Sequence, residues 1–193
     1  MKRNVAVVAA VLSAILVAGC TRIGPGYVGI KISNAGSDKG VHDLPATTGW
    51  VFYNPFLTSV YDYPTFVQQV TWTHNLEEGN PVNEEITFTN ADQMQISVDV
   101  SLAYHIKADR VPHFYVKFRS DNLHNFTHGY LRSLTRDKFN EIGGRYSIEN
   151  IMGDNGPFVK EVKVALQKDL EPIGVELEAQ FGIVGAPRPP AAV

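Results

Sequence analysis

The chain has 193 residues, of which 44% are hydrophobic, 10% aromatic and 19% charged. That balance can bury a core and excludes low-complexity disorder. Seventeen Lys and Arg against twenty Asp and Glu give a net charge of −3 without a basic block, which argues against nucleic-acid binding, and a single cysteine excludes an internal disulfide or a cysteine-rich zinc site.

Lys2 and Arg3 open the chain, an apolar run follows from Val5 to Val17, and Ala18, Gly19 and Cys20 close it. A basic start, a short apolar segment and small residues describe a secretory signal peptide. The run falls short of the roughly 20 residues a helix needs to cross a bilayer. Val17-Ala18-Gly19-Cys20 resembles the bacterial lipobox, in which the cysteine thiol takes a diacylglycerol and the chain is cut before it. Residues 1–19 therefore read as a lipoprotein signal and Cys20 as the lipidation site, with an uncleaved short anchor as the alternative. Losing Lys2 and Arg3 takes the formal charge from −3 to −5. Thr21 replaces the Asp that retains enterobacterial lipoproteins at the inner membrane, which leans toward the outer one.

Beyond the turn Gly24-Pro25-Gly26, Tyr27 to Ser33 reads as a strand and residues 34–48 as a loop. Gly49 to Phe56 and Ser59 to Thr73 are rich in aromatic and β-branched residues and read as strands interrupted at Pro55 and Pro64. Met94 to Ile106 alternates apolar and polar side chains over thirteen residues, the pattern of a strand with one face on a core. Glu85 to Thr89 is expected to pair with it across Asn90-Ala91-Asp92. Helical spacing begins at Asp109, with a short helix over Val111 to Phe118. A longer one is capped by Asp121, carries Leu123, Phe126, Tyr130, Leu131 and Leu134 on its inner stripe, and ends at Gly143-Gly144. Ser147 caps a brief turn, Pro157 opens a helix that buries Phe158, Val159, Val162, Leu166 and Leu170, and Gly174 stops it. Val175 to Ile183 alternates again as a last strand, and residues 186–193 read as an unstructured Pro/Ala tail.

Four stretches in this order resemble the stomatin–prohibitin–flotillin–HflK/HflC superfamily, also called SPFH or band 7. They are Gly24-Pro25-Gly26-Tyr27-Val28-Gly29-Ile30; Gly49-Trp50-Val51-Phe52-Tyr53-Asn54-Pro55-Phe56; the turn Thr89-Asn90-Ala91-Asp92 with VDVSLAYHI (98–106); and YLRSLTRDKFNEIGGRYSIENI (130–151). The resemblance implies an α+β domain over residues 20–185. A mostly antiparallel, strand-rich lobe (about 24–84) is expected first, followed by an α/β lobe with three to four helices (about 85–185). It also implies a membrane-bound, self-assembling, prohibitin-like scaffold without catalytic residues or cofactors, which organises membrane proteins and modulates a membrane-bound AAA protease. Relatives continue into a coiled coil. No heptads follow the last strand here, so that part is expected to be missing, by truncation or because the member is minimal. The alternative function is a monomeric envelope lipoprotein that binds a ligand or blocks a partner, for example in phage exclusion. Either way the expected location is the bacterial cell envelope, with the globular part periplasmic.

Patterns that carry chemistry elsewhere fail on context. Gly24-x-Gly26-x-x-Gly29 matches the dinucleotide string but opens a strand, whereas pyrophosphate binding needs a helix N-terminus. His124 and His128 are four apart, yet Asn125, Phe126 and Thr127 lie between them where a zinc protease carries glutamate, so no metal is assigned. There is no G-x-S-x-G elbow. Trp50, Phe52, Phe56 and Leu57 read first as a buried strand and turn, and second as candidates for membrane contact beside the anchor. Arg132, Arg136, Lys138 and Arg145 read as a solvated helix face. Arg132 and Arg136 are also candidates for subunit contact with Glu176 and Glu178 of a neighbour.

Overall fold

A computed structural model describes residues 19–36, 40–42, 48–118 and 123–189. The chain divides into two compact units, Met1–Phe66 with Ala108–Asp121, and Val67–Lys107 with Asn122–Val193. All strand pairing between the described strands is antiparallel.

In the first unit, β1 (Gly19–Ile23) pairs with β4 (Gly49–Tyr53) as a two-stranded ribbon, and β2 (Tyr27–Ser33) lies between β3 (Gly40–His42) and β5 (Thr58–Pro64). Val28, Ile30 and Tyr63 of this sheet are buried together with Val111 and Phe114 of α1 (Val111–Phe118). The Tyr63 and Phe114 rings meet at 5.9 Å, and Tyr61 stacks on Tyr115 at 6.0 Å. Ile23 is buried against Gly29, where any side chain would strike its Cδ1, so the glycine lets the ribbon close on the sheet.

In the second unit the long strand β8 (Gln95–Ile106) is central. β9 (Val175–Arg188) runs along one edge, while β6 (Gln68–Trp72) and β7 (Ile86–Thr89) lie end to end along the other. Ile96, Val98, Val100, Leu102, Tyr104 and Ile106 form the inner face of β8, all 1% exposed or less. Helices cover that face: a turn Leu123–Asn125, a π segment Phe126–Leu131, α2 (Arg132–Gly143), α3 (Ile148–Met152) and α4 (Gly156–Leu170). Phe88 of β7 stacks on Phe158 at 5.5 Å and leans on Phe139 at 5.4 Å. Gly143 brings α2 down onto that cluster, since a Cβ there would lie 2.5 Å from Phe88 Cδ2 and 3.3 Å from the Thr89 carbonyl. Gly143→Ala is expected to cost about 2 kcal/mol through overpacking, read as a lowered urea midpoint at unchanged slope.

The α+β class and the order of elements match the sequence reading, with instructive differences. β3 forms inside the expected loop 34–48, and the boundary between units falls at Phe66/Val67 rather than near residue 84, because β6 pairs with β8. The segment 59–73 divides into β5 and β6 beyond Pro64. Leu123, Phe126 and Leu131 are buried as expected, but Tyr130 is exposed and Leu134 only half-buried. The wider π turn rotates the helix so that Thr127, Thr135, Phe139 and Ile142 continue the buried stripe. The Asp121 cap and residues 1–18 lie outside the described residues. Gly174 ends the last helical turn at φ 82°, as its position predicts. The tail reading is corrected at its start: β9 continues through Ala186 to Arg188, with a bulge opposite Ser97–Asp99.

Candidate functional site

The ribbon separates its side chains by face. Cys20 lies directly opposite Phe52, and Arg22 opposite Trp50. Opposed residues of an antiparallel pair point the same way, so these four share one face. The other face carries Thr21, Ile23, Val51 and Tyr53, which are buried or half-buried. Trp50 and Phe52 are 66% and 74% exposed, Phe56 in the following turn is 77% exposed, and Leu57 is exposed beside it. The expectation of a buried strand is therefore overturned for these side chains. β4 has a partner strand on one edge only, and its outward face meets no second layer among the described residues. Cys20 is exposed, with a free thiol.

A second cluster lies on the outward face of the second unit's sheet. The Arg188 guanidinium spans Asp99, with Nη1 to Oδ2 at 3.0 Å and Nη2 to Oδ1 at 2.7 Å, and Nη2 also reaches Glu85 Oε2 at 2.9 Å. The His74 imidazole donates from Nδ1 to Asp99 Oδ2 at 2.8 Å, and the His74 amide donates to Oδ1 at 3.1 Å. Burial alone would raise the Asp99 carboxyl, but the Arg188 and His74 donors outweigh it and hold the group down at about 2. Ligand atoms of His74, Glu85 and Asp99 come within 4.8 Å of one another, a spacing that could hold a cation. Arg188 already supplies the positive charge there, so the cluster is a structural clamp. The sequence reading missed it by assigning Arg188 to the tail. The one available signal was Asp99 itself, an acid on the strand with the cleanest alternation.

The histidine pair sits in the π segment region. The His124 and His128 rings stack with centroids 4.3 Å apart, and His128 Nδ1 is 2.7 Å from Oε2 of the buried Glu84. No third metal-ligating side chain completes a site with them among the described residues. Behind them the buried Tyr104 hydroxyl is hydrogen-bonded to Thr127 Oγ1 at 2.6 Å, and burial pushes its pKa up to about 12 against that bond. Gly26 has φ 78° and leads into β2, which rules out the dinucleotide reading on geometry.

The charges singled out for subunit contact are mostly engaged inside the unit. Arg132 donates to the backbone carbonyls of Glu84 and Glu85 at 3.0 and 3.4 Å; Glu178 meets His105 at 2.9 Å, and Glu176 meets Lys107 at 3.3 Å. Lys138 bridges Asp169 and Glu141, the Asp169 carboxylate raising its pKa most, and Arg145 pairs with Glu161. Arg136 is exposed and has no ion pair among the described residues.

The family model described as SPFH domain / Band 7 family matches residues 21–193. The chain belongs to the SPFH/Band 7 family. No curated protein matches it. SPFH proteins typically oligomerise and associate with membranes, and the antiparallel sheets followed by a helical region found here fit the SPFH domain. No helix among the described residues is long and apolar enough to cross a membrane. The SPFH match covers both units and includes every strand from β2 onward.

Proposed function

We propose that this SPFH protein is a lipid-anchored, self-assembling scaffold of the bacterial cell envelope, prohibitin-like and non-catalytic. Its globular part is periplasmic, and its task is to organise membrane proteins, among them a membrane-bound AAA protease whose access to substrates it modulates. The observation that carries the reading is the placement of Cys20 opposite Phe52, on the exposed ribbon face that also holds Trp50. A diacylglyceryl group on Cys20 would bring that face to the headgroup region, where aromatic rings are well accommodated. Cleavage before Cys20 removes the Gly19–Tyr53 pair and keeps the register from Cys20–Phe52 to Ile23–Gly49, so processing and the ribbon are compatible.

Expression of the full chain and of Cys20→Ser, followed by membrane fractionation and light scattering of the detergent extract, tests both halves of the reading. The wild type is expected in the membrane fraction as a particle of many subunits, and Cys20→Ser as an unprocessed or released chain. A wild type that extracts as a monomer overturns the scaffold reading in favour of a monomeric envelope lipoprotein. Unaltered anchoring and processing of Cys20→Ser overturns the lipidation site.

A further inference from the structure

We infer that copies of this chain join head to tail through the second unit, the acidic loop 75–83 of one copy seating on the exposed stripe of α4 in the next. The inference rests on the assembling reading above and names the contact that it needs.

Many charges of the second unit are matched within it: Asp99 by His74 and Arg188, Glu84 by His128, Glu176 and Glu178 by Lys107 and His105, Asp169 by Lys138, Glu161 by Arg145. Other charges, among them Arg136, Asp137, Glu149, Asp154 and Glu171, are exposed with no ion pair among the described residues, and two groups of such charges flank exposed aliphatic side chains. On loop 75–83, Glu77 and Glu78 are exposed and have no ion pair among the described residues, and Leu76 and Val82 beside them are 58% and 54% exposed. On α4, Lys160 and Lys168 are exposed with no ion pair among the described residues, and they bracket Val164, which is 65% exposed. Spacing of four places Lys160, Val164 and Lys168 on one helix face. That face lies about 200° around the axis from the buried Phe158, Val162 and Leu166. Each patch thus has an exposed apolar centre flanked by two like charges, acidic on the loop and basic on the stripe, with the exposed Glu171 one turn beyond Lys168 at the stripe's end.

Their positions decide the geometry of contact. Glu78 and Gly79 stand over the outward face of the sheet, lining a cavity of about 590 Å³ with Gln69, Thr71, Ser101 and Val184. α4 packs on the inner face and turns its Lys160–Lys168 stripe away from it. The two patches therefore look out from opposite sides of the unit and cannot satisfy each other within one copy. Loop against loop, or stripe against stripe, would set like charges together, so a two-fold contact is disfavoured. The heterologous pairing of loop with stripe is complementary in charge and apolar at its centre. Repeated from copy to copy, it closes into a ring or extends as a filament.

A mixing experiment on the full-length, detergent-extracted protein tests this. Glu77→Lys/Glu78→Lys and Lys160→Glu/Lys168→Glu are purified separately, and particle mass is followed by light scattering. All four positions are exposed, so stability should stay within about 0.5 kcal/mol of wild type. Each double variant alone is expected to fall to the mass of a single chain, having lost its complementary pair. Mixed at equal ratio, the two variants are expected to regain the wild-type mass, because each then offers the other an opposite patch. A folding defect could not produce that recovery. Double variants that keep the wild-type mass, or a mixture that stays dispersed, overturn the contact while leaving the scaffold reading in place. A monomeric wild type overturns the scaffold reading itself, and this contact with it.

Discussion

Asp99→Ala is expected to destabilise the second unit by about 3 kcal/mol, at the lower end of the range for removing one partner of a buried ion pair. The carboxylate takes four donor contacts, two from Arg188 and two from His74, and is nearly inaccessible to water. Arg188 is about one-third exposed and can turn back to solvent, which keeps the cost from being larger. The same clamp has an acid signature. Asp99 is held at about 2 in the folded chain, against 3.8 for the unperturbed group. Its folded pKa is depressed, so its contribution is complete above about pH 4 and is lost as pH falls through the folded value. A shift of that size corresponds to about 2 kcal/mol. Urea unfolding of the wild type and Asp99→Ala should therefore show a gap that is constant from pH 7 to 5 and narrows by about that amount at pH 2. A gap that does not change with pH would mean that Asp99 owes nothing to its ionised form.

The fold was legible where one period held over many residues. The alternation in Met94 to Ile106 gave β8 nearly whole, and the hairpin with β7 followed from the polar turn at Asn90. Phe158, Val162, Leu166 and Leu170 gave the inner face of α4. Legibility failed where geometry departs from a standard period. The π segment inserts a wider turn that no 3.6-residue pattern anticipates, and it turned Tyr130 outward. The bulge opposite Ser97–Asp99 broke the alternation of β9 after Ile183 and hid Arg188 in an apparent tail. At the candidate site, residue types alone gave Cys20, Trp50 and Phe52. Their common face became visible only through the register of β1 with β4, a pairing of distant segments whose first strand, apart from Gly19 at the end of the expected signal, has no strand pattern of its own. Composition also favoured burial for Trp50 and Phe52, because aromatic strands are usually core. Here β4 has a partner strand on one edge and, among the described residues, no layer over its outward face. The subunit-contact charges show the same limit: local sequence lists cations and anions, but their pairing is decided by packing, which commits Arg132, Glu176 and Glu178 within the unit.

Trp50→Ser/Phe52→Ser is expected to weaken vesicle binding of an unlipidated chain that starts at residue 20 by about 100-fold. The test uses residues 20–193 with Cys20→Ser, so that no acyl chain masks the ribbon. Two rings that leave water only in part contribute about 3 kcal/mol at roughly 25 cal/mol per Å² of apolar surface, which is two decades in a partition constant. Arg22 shares the face, opposite Trp50, and has no ion pair among the described residues. It should therefore add a preference for anionic headgroups that fades as salt is raised, whereas the ring contribution should not. Sedimentation with neutral and with anionic vesicles, at low and high salt, separates the two effects. Stability should hardly change, because neither ring is buried in the folded chain. A single acyl chain gives only marginal attachment and two give a firm one. If Cys20 carries the lipid as proposed, the aromatic face would therefore do less to hold the molecule at the membrane than to fix which side of the first unit faces it. Loss of orientation without loss of attachment is the expected phenotype of the double variant when Cys20 is intact, read as new protease cleavage in the ribbon of a chain still found with the membrane.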